Sequence, residues 1–309
     1  MLSQVIDVLE ILDSPAASGK VIGELFKQYD GVSTEIETIG ESKGTTDVIR
    51  ILIEGRDRSL PTLGVIGQLG GIGARPEMIG FVSDGDGAAA ALAVALKAAQ
   101  ASSKGDKLPG DLFVSTHICP NAPTQPHKPV PFMGSPVGTR QALVAMLKAE
   151  ISAVISIDTT KGNRLMNWKG IAITPTVKEG YILRVSEDLL DIYESVTGQP
   201  ARVLPITMQD VTPYGNRVHH INSIMQPCTI LKAPVVGLAI TTEIAVAGCA
   251  TGSSHEVDIA LAARFSFEVA KRFGSDKCNF FDAEEYQRIR TLYGDMSRLV
   301  YSTEDLEDD

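Results

Sequence analysis

Positive charge is scarce in this chain: 28 Lys and Arg face 38 Asp and Glu, for a net charge of −10. Without a basic stripe to displace counterions from a phosphate backbone, no nucleic-acid partner is expected. Long apolar runs are missing too. None approaches the roughly 18 residues that span a bilayer, so no membrane partner is expected either. Cysteine is rare: the chain has four, irregularly spaced and without a C-x-x-C pair, which excludes a disulfide framework. The first residues, Met1-Leu-Ser-Gln-Val-Ile-Asp7, carry an acid and helical periodicity, unlike a signal peptide. The expectation is a reduced, cytoplasmic protein.

What remains is ordinary for a soluble globular protein, with 44% hydrophobic and 21% charged residues. A chain of 309 residues can bury a sizeable core, and one domain over 1–309 is expected. Its acidic end, Glu304-Asp-Leu-Glu-Asp-Asp309, is expected to be a solvated, disordered tail over about 303–309.

Periodicity predicts helices over 2–12, 19–29, 86–100, 137–150, 189–196, 256–273 and 283–301. Strands are predicted over 33–39, 48–53, 63–67, 111–116, 153–157, 203–206 and 235–240, with two more inside 170–186. The helix over 86–100 is unusual in being almost wholly alanine, a strong helix former whose small side chain permits close approach to a sheet. Apolar runs alternating with helices argue for an α/β fold: three layers, αβα, with a mainly parallel central sheet. A small β excursion is expected near 165–220.

Several polar residues stand where these runs stop. Asp84 follows Ile79-Gly-Phe-Val82, and His117 and Cys119 follow Leu112-Phe-Val-Ser-Thr116. Asp158 closes Ala153-Val-Ile-Ser-Ile157, and His255-Glu256 opens a helix beyond the run at 235–240. Ligands of parallel sheets bind outside the strands' carboxyl ends. Carboxylate, imidazole and thiol groups gathered there make a candidate metal or catalytic site. The plainer reading of each stands beside it. Asp84 is a good helix N-cap, Asp158-Thr-Thr-Lys161 an ordinary turn, Glu256 a first-turn acid and His255 a surface residue. The glycine run Gly67-Gln-Leu-Gly-Gly-Ile-Gly73 lacks the helix directly behind it that a dinucleotide site needs, so no such cofactor is expected.

In element order, about residues 5–275 resemble the metallo-aminopeptidases of the glutamyl-aminopeptidase/endoglucanase-like group, and more distantly other zinc exopeptidases. The resemblance is carried by Ser18-Gly19, by Asp84-Gly-Asp-Gly-Ala-Ala-Ala-Ala-Leu92 before a small-residue helix, by Ile155-Ser-Ile-Asp158, and by Ser253-Ser-His255-Glu-Val-Asp258. It implies a zinc-exopeptidase (phosphorylase/hydrolase)-like fold and a divalent metal, zinc foremost. Asp84 would be the bridging ligand, with Asp158 and His255 terminal and His117 or Cys119 completing the shell. Glu256 would be the general base, and Gln68, Asp86, His127 and Asp210 would line the pocket. Two family motifs are replaced: the His-x-Asp site reads Gln68-Leu-Gly70, and the Glu-Glu pair falls in Thr116-His-Ile-Cys-Pro-Asn121. The length, motifs and proline-rich loop over 120–136 also resemble a bacterial and archaeal family without assigned activity, number 1177 of the domain-of-unknown-function series.

Two functions follow. One is a metal-dependent hydrolase of a small amide or peptide-like substrate. The other is a catalytically inactive, metal-free member of the fold that binds a small molecule or a protein through the same cleft. The resemblance also implies a homo-oligomer. Arg75, Lys161 and Arg217 are candidate carboxylate ligands, His219-His220 a candidate subunit contact, and Trp168 a core or interface residue.

Overall fold

Four of the predicted apolar runs become the middle of one sheet. The structure, a computed structural model, describes the chain except residues 42–43, 69–72, 129–130, 161, 207–221, 246–251, 276 and 298–309. Its strands are β1 (Val32–Glu41), β2 (Gly44–Ile53), β3 (Leu63–Gly67), β4 (Leu112–Ile118), β5 (Thr124–Gln125), β6 (Phe132–Met133), β7 (Ala153–Thr160), β8 (Gly170–Ile173), β9 (Val177–Lys178), β10 (Tyr181–Ile182) and β11 (Val235–Thr241). Its helices are α1 (Leu2–Leu12), α2 (Gly19–Phe26), α3 (Asp86–Ser102), α4 (Thr139–Met146), α5 (Glu187–Thr197), α6 (Glu256–Arg272) and α7 (Ala283–Tyr293).

The central strands run β4-β3-β7-β11 and are mutually parallel. Every residue of β3, β4 and β11 is buried, as is β7 up to Asp158, which is why they read as unbroken apolar runs. Antiparallel strands close both sides: β2 pairs β4 and β1 pairs β2, while β8 and β9 pair β11. The sheet lies between two apolar layers. One face, including Val65, Val114, Ile155 and Leu238, packs against α1, α3, α5 and α6. The other, including Ile66, Phe113, Val154 and Ala239, packs against α4 and the 3₁₀ segment Ser223–Thr229. The expected α/β, three-layer architecture is what the chain forms.

The alanines of α3 explain its place. A Cβ on Gly67 would stand 2.6 Å from Ala88 Cα, and one on Gly87 would stand 2.5 Å from both Gln68 O and Ile157 O. The start of α3 thus rests directly on the ends of β3 and β7, a contact that only glycine permits.

Some boundaries differ from expectation for local reasons. The helix predicted over 137–150 stops at Met146, because Arg50 Nη1 donates to Ala145 O at 2.6 Å and takes a carbonyl the next turn would need. The last helix ends at Tyr293, where Gly294 turns the chain at φ 85°. The stretch 203–206 makes one bridge, Ile173 to Val203, and no strand. Three short strands, β8 to β10, fill 170–186 and join the main sheet. The rest of the expected excursion, from 207, lies outside the described residues, as does the acidic tail.

Candidate functional site

The parallel strands deliver their ends to one edge. Gln68 follows β3, His117 lies near the end of β4 and Cys119 follows it, Asp158 lies near the end of β7, and Thr241 closes β11. The chain before α3 is tied to the same edge: Thr159 Oγ1 donates to Ser83 O at 2.9 Å, beside Asp84. Entry to α6 is tied there too. Ser83 N–H donates to Gly252 O at 2.7 Å, and Ser254 Oγ donates to Asp86 Oδ1 at 2.5 Å. The segments carrying Gln68, Asp84, Asp86, Asp158 and His255 therefore meet at one rim.

Individual side chains have different duties there. Gln68 is buried, and its Nε2 donates to Ser156 Oγ at 2.7 Å and to Ile224 O at 3.1 Å. His117 is buried with Nδ1 2.9 Å from Thr46 Oγ1. Thr46 Oγ1 also donates to Ile118 O at 3.1 Å, so the hydroxyl joins the imidazole to the end of its own strand. Gln68 and His117 face a crevice of about 20 Å³ that Ser135, Thr139 and three apolar residues of α4 complete. That is room for about one water.

The acids split into two settings. Asp86, not the neighbouring Asp84, is the fully buried one, and it begins α3 where the helix dipole favours a carboxylate. Asp84 is half-buried in the 3₁₀ turn Ser83–Gly85. Asp158 is buried, its Oδ1 accepting Thr159 N–H at 2.6 Å. It lies on the Val154 and Ser156 side of the pleat, away from α3.

Burial raises the Cys119 thiol above its usual range. A backbone hydrogen bond from Asn121 opposes that shift and the Asp47 carboxylate adds to it. The group is a neutral thiol pointing at Thr45 O, 3.5 Å away, and not a ready thiolate ligand. His255 is half-buried as the N-cap of α6, and Glu256 is exposed in that helix's first turn. His127 is exposed, its ring 6.4 Å from Phe132. Arg75 is spent on carbonyls, donating to Asp13 O at 2.5 Å and Pro120 O at 3.3 Å. Asp210, Lys161, Arg217, His219 and His220 lie outside the described residues.

Among the described residues no three His, Cys, Asp or Glu side chains are grouped closely enough to hold a metal ion. An amide at position 68 and a neutral thiol at position 119 agree with that. The described donors therefore do not fit the dinuclear centre that the resemblance implies.

Sequence reasoning missed a second opening, beyond β11 on the side away from β7. Trp168, Tyr193 and Asp258 line it with Lys169, Arg202 and Glu243. The one available signal was Asp258, an acid on the inward face of α6 between Val257 and Ile259.

A family model described as "Protein of unknown function (DUF1177)" matches residues 37–303. No curated protein matches the chain. Solved structures match at low identity. The cytosol aminopeptidase from Coxiella burnetii is 14% identical with a TM-score of 0.50, over 85% of this chain and 67% of that one. The bottromycin maturation enzyme BotP, in complex with Mn, is 12% identical with a TM-score of 0.50, over 85% and 70%. A variant of tomato leucine aminopeptidase is 13% identical with a TM-score of 0.49, over 85% of this chain. The chain spans 60% of that tomato enzyme's length. At these identities the likeness shows the fold, an aminopeptidase-like α/β fold.

Proposed function

The chain belongs to the DUF1177 family of proteins of unknown function, and from that membership and its fold we propose that it binds a small amide- or peptide-like molecule at the carboxyl rim of the sheet. The observation that carries this reading is the burial of Gln68, Asp86, His117 and Asp158, each 3% exposed or less, at the strand ends and the start of α3. Their concentration at the ligand-binding edge of a parallel sheet supports recognition of a polar guest.

We favour binding over metal-dependent hydrolysis because of the donors themselves. Gln68 is engaged with Ser156 and Ile224, and Cys119 is held as a thiol. The hydrolase is the second reading. It is favoured by His117, an imidazole buried at the rim, and by the fold shared with an enzyme in complex with Mn. Elemental analysis of protein purified without added metal separates the two. The binding reading expects less than stoichiometric metal, no thermal shift on adding zinc or manganese, and stabilisation by small amides or dipeptides. One or two equivalents of metal, released in Asp84→Ala and His255→Ala, would establish the hydrolase instead.

The setting we propose is cytoplasmic. No described helix is long and apolar enough to cross a membrane, and Cys119, Cys228 and Cys278 are unpaired. We also propose a homo-oligomer. Exposed Ile79 and Ile244, on the connections into α3 and α6, and exposed Val257 in the first turn of α6 support a contact between copies. Light scattering should give a mass above the 33.0 kDa of one chain.

A further inference from the structure

The opening beyond β11 measures about 320 Å³, within the range of small-ligand sites. Its lining includes a buried carboxylate with one oxygen that makes no hydrogen bond. Asp258 is 4% exposed, and its Oδ2 is buried without a hydrogen-bond partner. The first turn of a 17-residue helix suits an acid, but there the dipole is served equally well by an exposed one such as Glu256. Position alone therefore does not explain why Asp258 points inward.

A second unmet group belongs to a residue of the same lining. Trp168 Nε1–H is buried with no acceptor, and the ring carries the Arg202 guanidinium 5.2 Å from its centroid. Tyr193 is not a third, since its hydroxyl donates to Ile171 O at 2.7 Å. Lys169 and Arg202 enter no salt bridge among the described residues and stand exposed at the mouth. Leaving a buried donor and a buried carboxylate unsatisfied is costly, and folded proteins tolerate it where something else completes them.

The two unmet groups ask for opposite chemistry. Asp258 asks for a cationic donor, and Glu243 at the mouth adds to that preference. The indole N–H asks for an acceptor, with Lys169 and Arg202 favouring an anionic one. A simple amine would satisfy only the first, and a simple carboxylate or phosphate only the second.

We propose that this cleft binds a small zwitterion, a free α-amino acid or the end of a short peptide. The ammonium lies on Asp258, and the carboxylate lies towards Trp168 Nε1, Lys169 and Arg202. This inference is independent of the rim reading, because none of the rim residues lines the cleft.

Trp168 is the only tryptophan of the chain, so its emission reports on this cleft directly. The full chain is titrated with the standard amino acids and Gly-Gly, then with butylamine and with acetate as half-ligands. At least one zwitterion should change the emission saturably with a Kd below about 1 mM. Asp258→Asn and Arg202→Ala should each weaken it at least about tenfold, as loss of a charge-assisted hydrogen bond does. Arg202→Ala changes an exposed side chain and keeps the test valid if Asp258→Asn folds poorly. The proposal is overturned if no zwitterion gives a saturable change. Binding unchanged in Arg202→Ala, or half-ligands binding as tightly as the zwitterion, also overturns it. The rim is read separately, from metal content and from stabilisation by uncharged amides, which carry neither charge that the cleft asks for, so either proposal can fail alone.

Discussion

Asp258 shows how one side chain can stabilise a complex at the expense of the empty fold. Burial pushes its carboxyl above the usual carboxylate range, against the opposing pull of Lys169 and His255. Glu243 and Arg202 are the other charged groups lining that cleft. A carboxyl raised on folding binds its proton more tightly in the native state. Stability therefore falls as pH rises from the unfolded value of 3.8 through the raised native one. Asp258→Asn should accordingly melt higher than the parent at pH 7 without ligand, and that advantage should shrink as the pH falls towards 3.8. Calorimetry across that range checks the sign, and a variant less stable at pH 7 would mean that Asp258 serves the fold. Gln68 is the opposite case. Its amide satisfies Ser156 and Ile224, so Gln68→Ala should lower stability by about 1–3 kcal/mol in urea denaturation. The thiols give a third check. Burial pushes Cys228 and Cys278 to about 12 and raises Cys119, so none should react promptly with a disulfide reagent at pH 8 in native protein.

The contact of α3 with the strand ends is the element on which the rim depends. A Cβ at Gly87 would meet two backbone carbonyls at 2.5 Å, and neither can yield as a flexible side chain would. Gly87→Ala should lift the start of α3, displace Asp84 and Asp86, and cost about 1–3 kcal/mol. Gly138→Ala, at a site with nothing within 4 Å, is the steric control and should cost no more than the cap of α4 that it changes, about 1 kcal/mol or less, and leave the rim in place. Thermal melts of the pair decide it, since equal losses would refute a close seat. Much of this element was legible beforehand. Strands buried on both faces read as unbroken apolar runs, and alanine after Asp84-Gly-Asp-Gly announced a helix that lies close to the sheet. Other features depend on partners distant in sequence. The end of α4 is set by Arg50 across the sheet, and β9 and β10 are two residues each, too short for any periodicity. The candidate site was legible as an edge but not as a geometry. Asp158 and His117 turn to the α4 face while Asp86 belongs to α3, a division that strand alternation creates and end-of-run position does not reveal. Trp168 and Asp258 meet only because β8 folds back beside β11, which brings its flanking loop against α6.

At the scale of the molecule, the sheet separates two apolar clusters yet joins them residue by residue. Val154 belongs to one and Ile155 to the other, as do Val235 and Val236. No central strand can be released from one cluster without removing alternate residues from the second. The first cluster reaches from Val5 in α1 to Phe280 beyond α6, so elements far apart in the chain share the same core. That interleaving argues for one cooperative unit, and the chain carries separate reporters for its two layers. Most of the helix, in α1, α3, α5 and α6, lies on the first face. Trp168 packs against the second cluster, with α4 and the segment Ser223–Thr229, while its other surroundings line the cleft beside α5 and α6, so its emission follows the second layer and its junction with the first. Far-UV circular dichroism and tryptophan emission, followed through the same urea titration, should therefore give one common midpoint. If the emission midpoint came clearly earlier, the α4 layer would unfold while the helices of the other face held. The pleat would then not couple the clusters, and 1–309 would contain two units. Adding the zwitterion inferred above should move both midpoints together, because a ligand bound only to the native state stabilises everything that unfolds with its site.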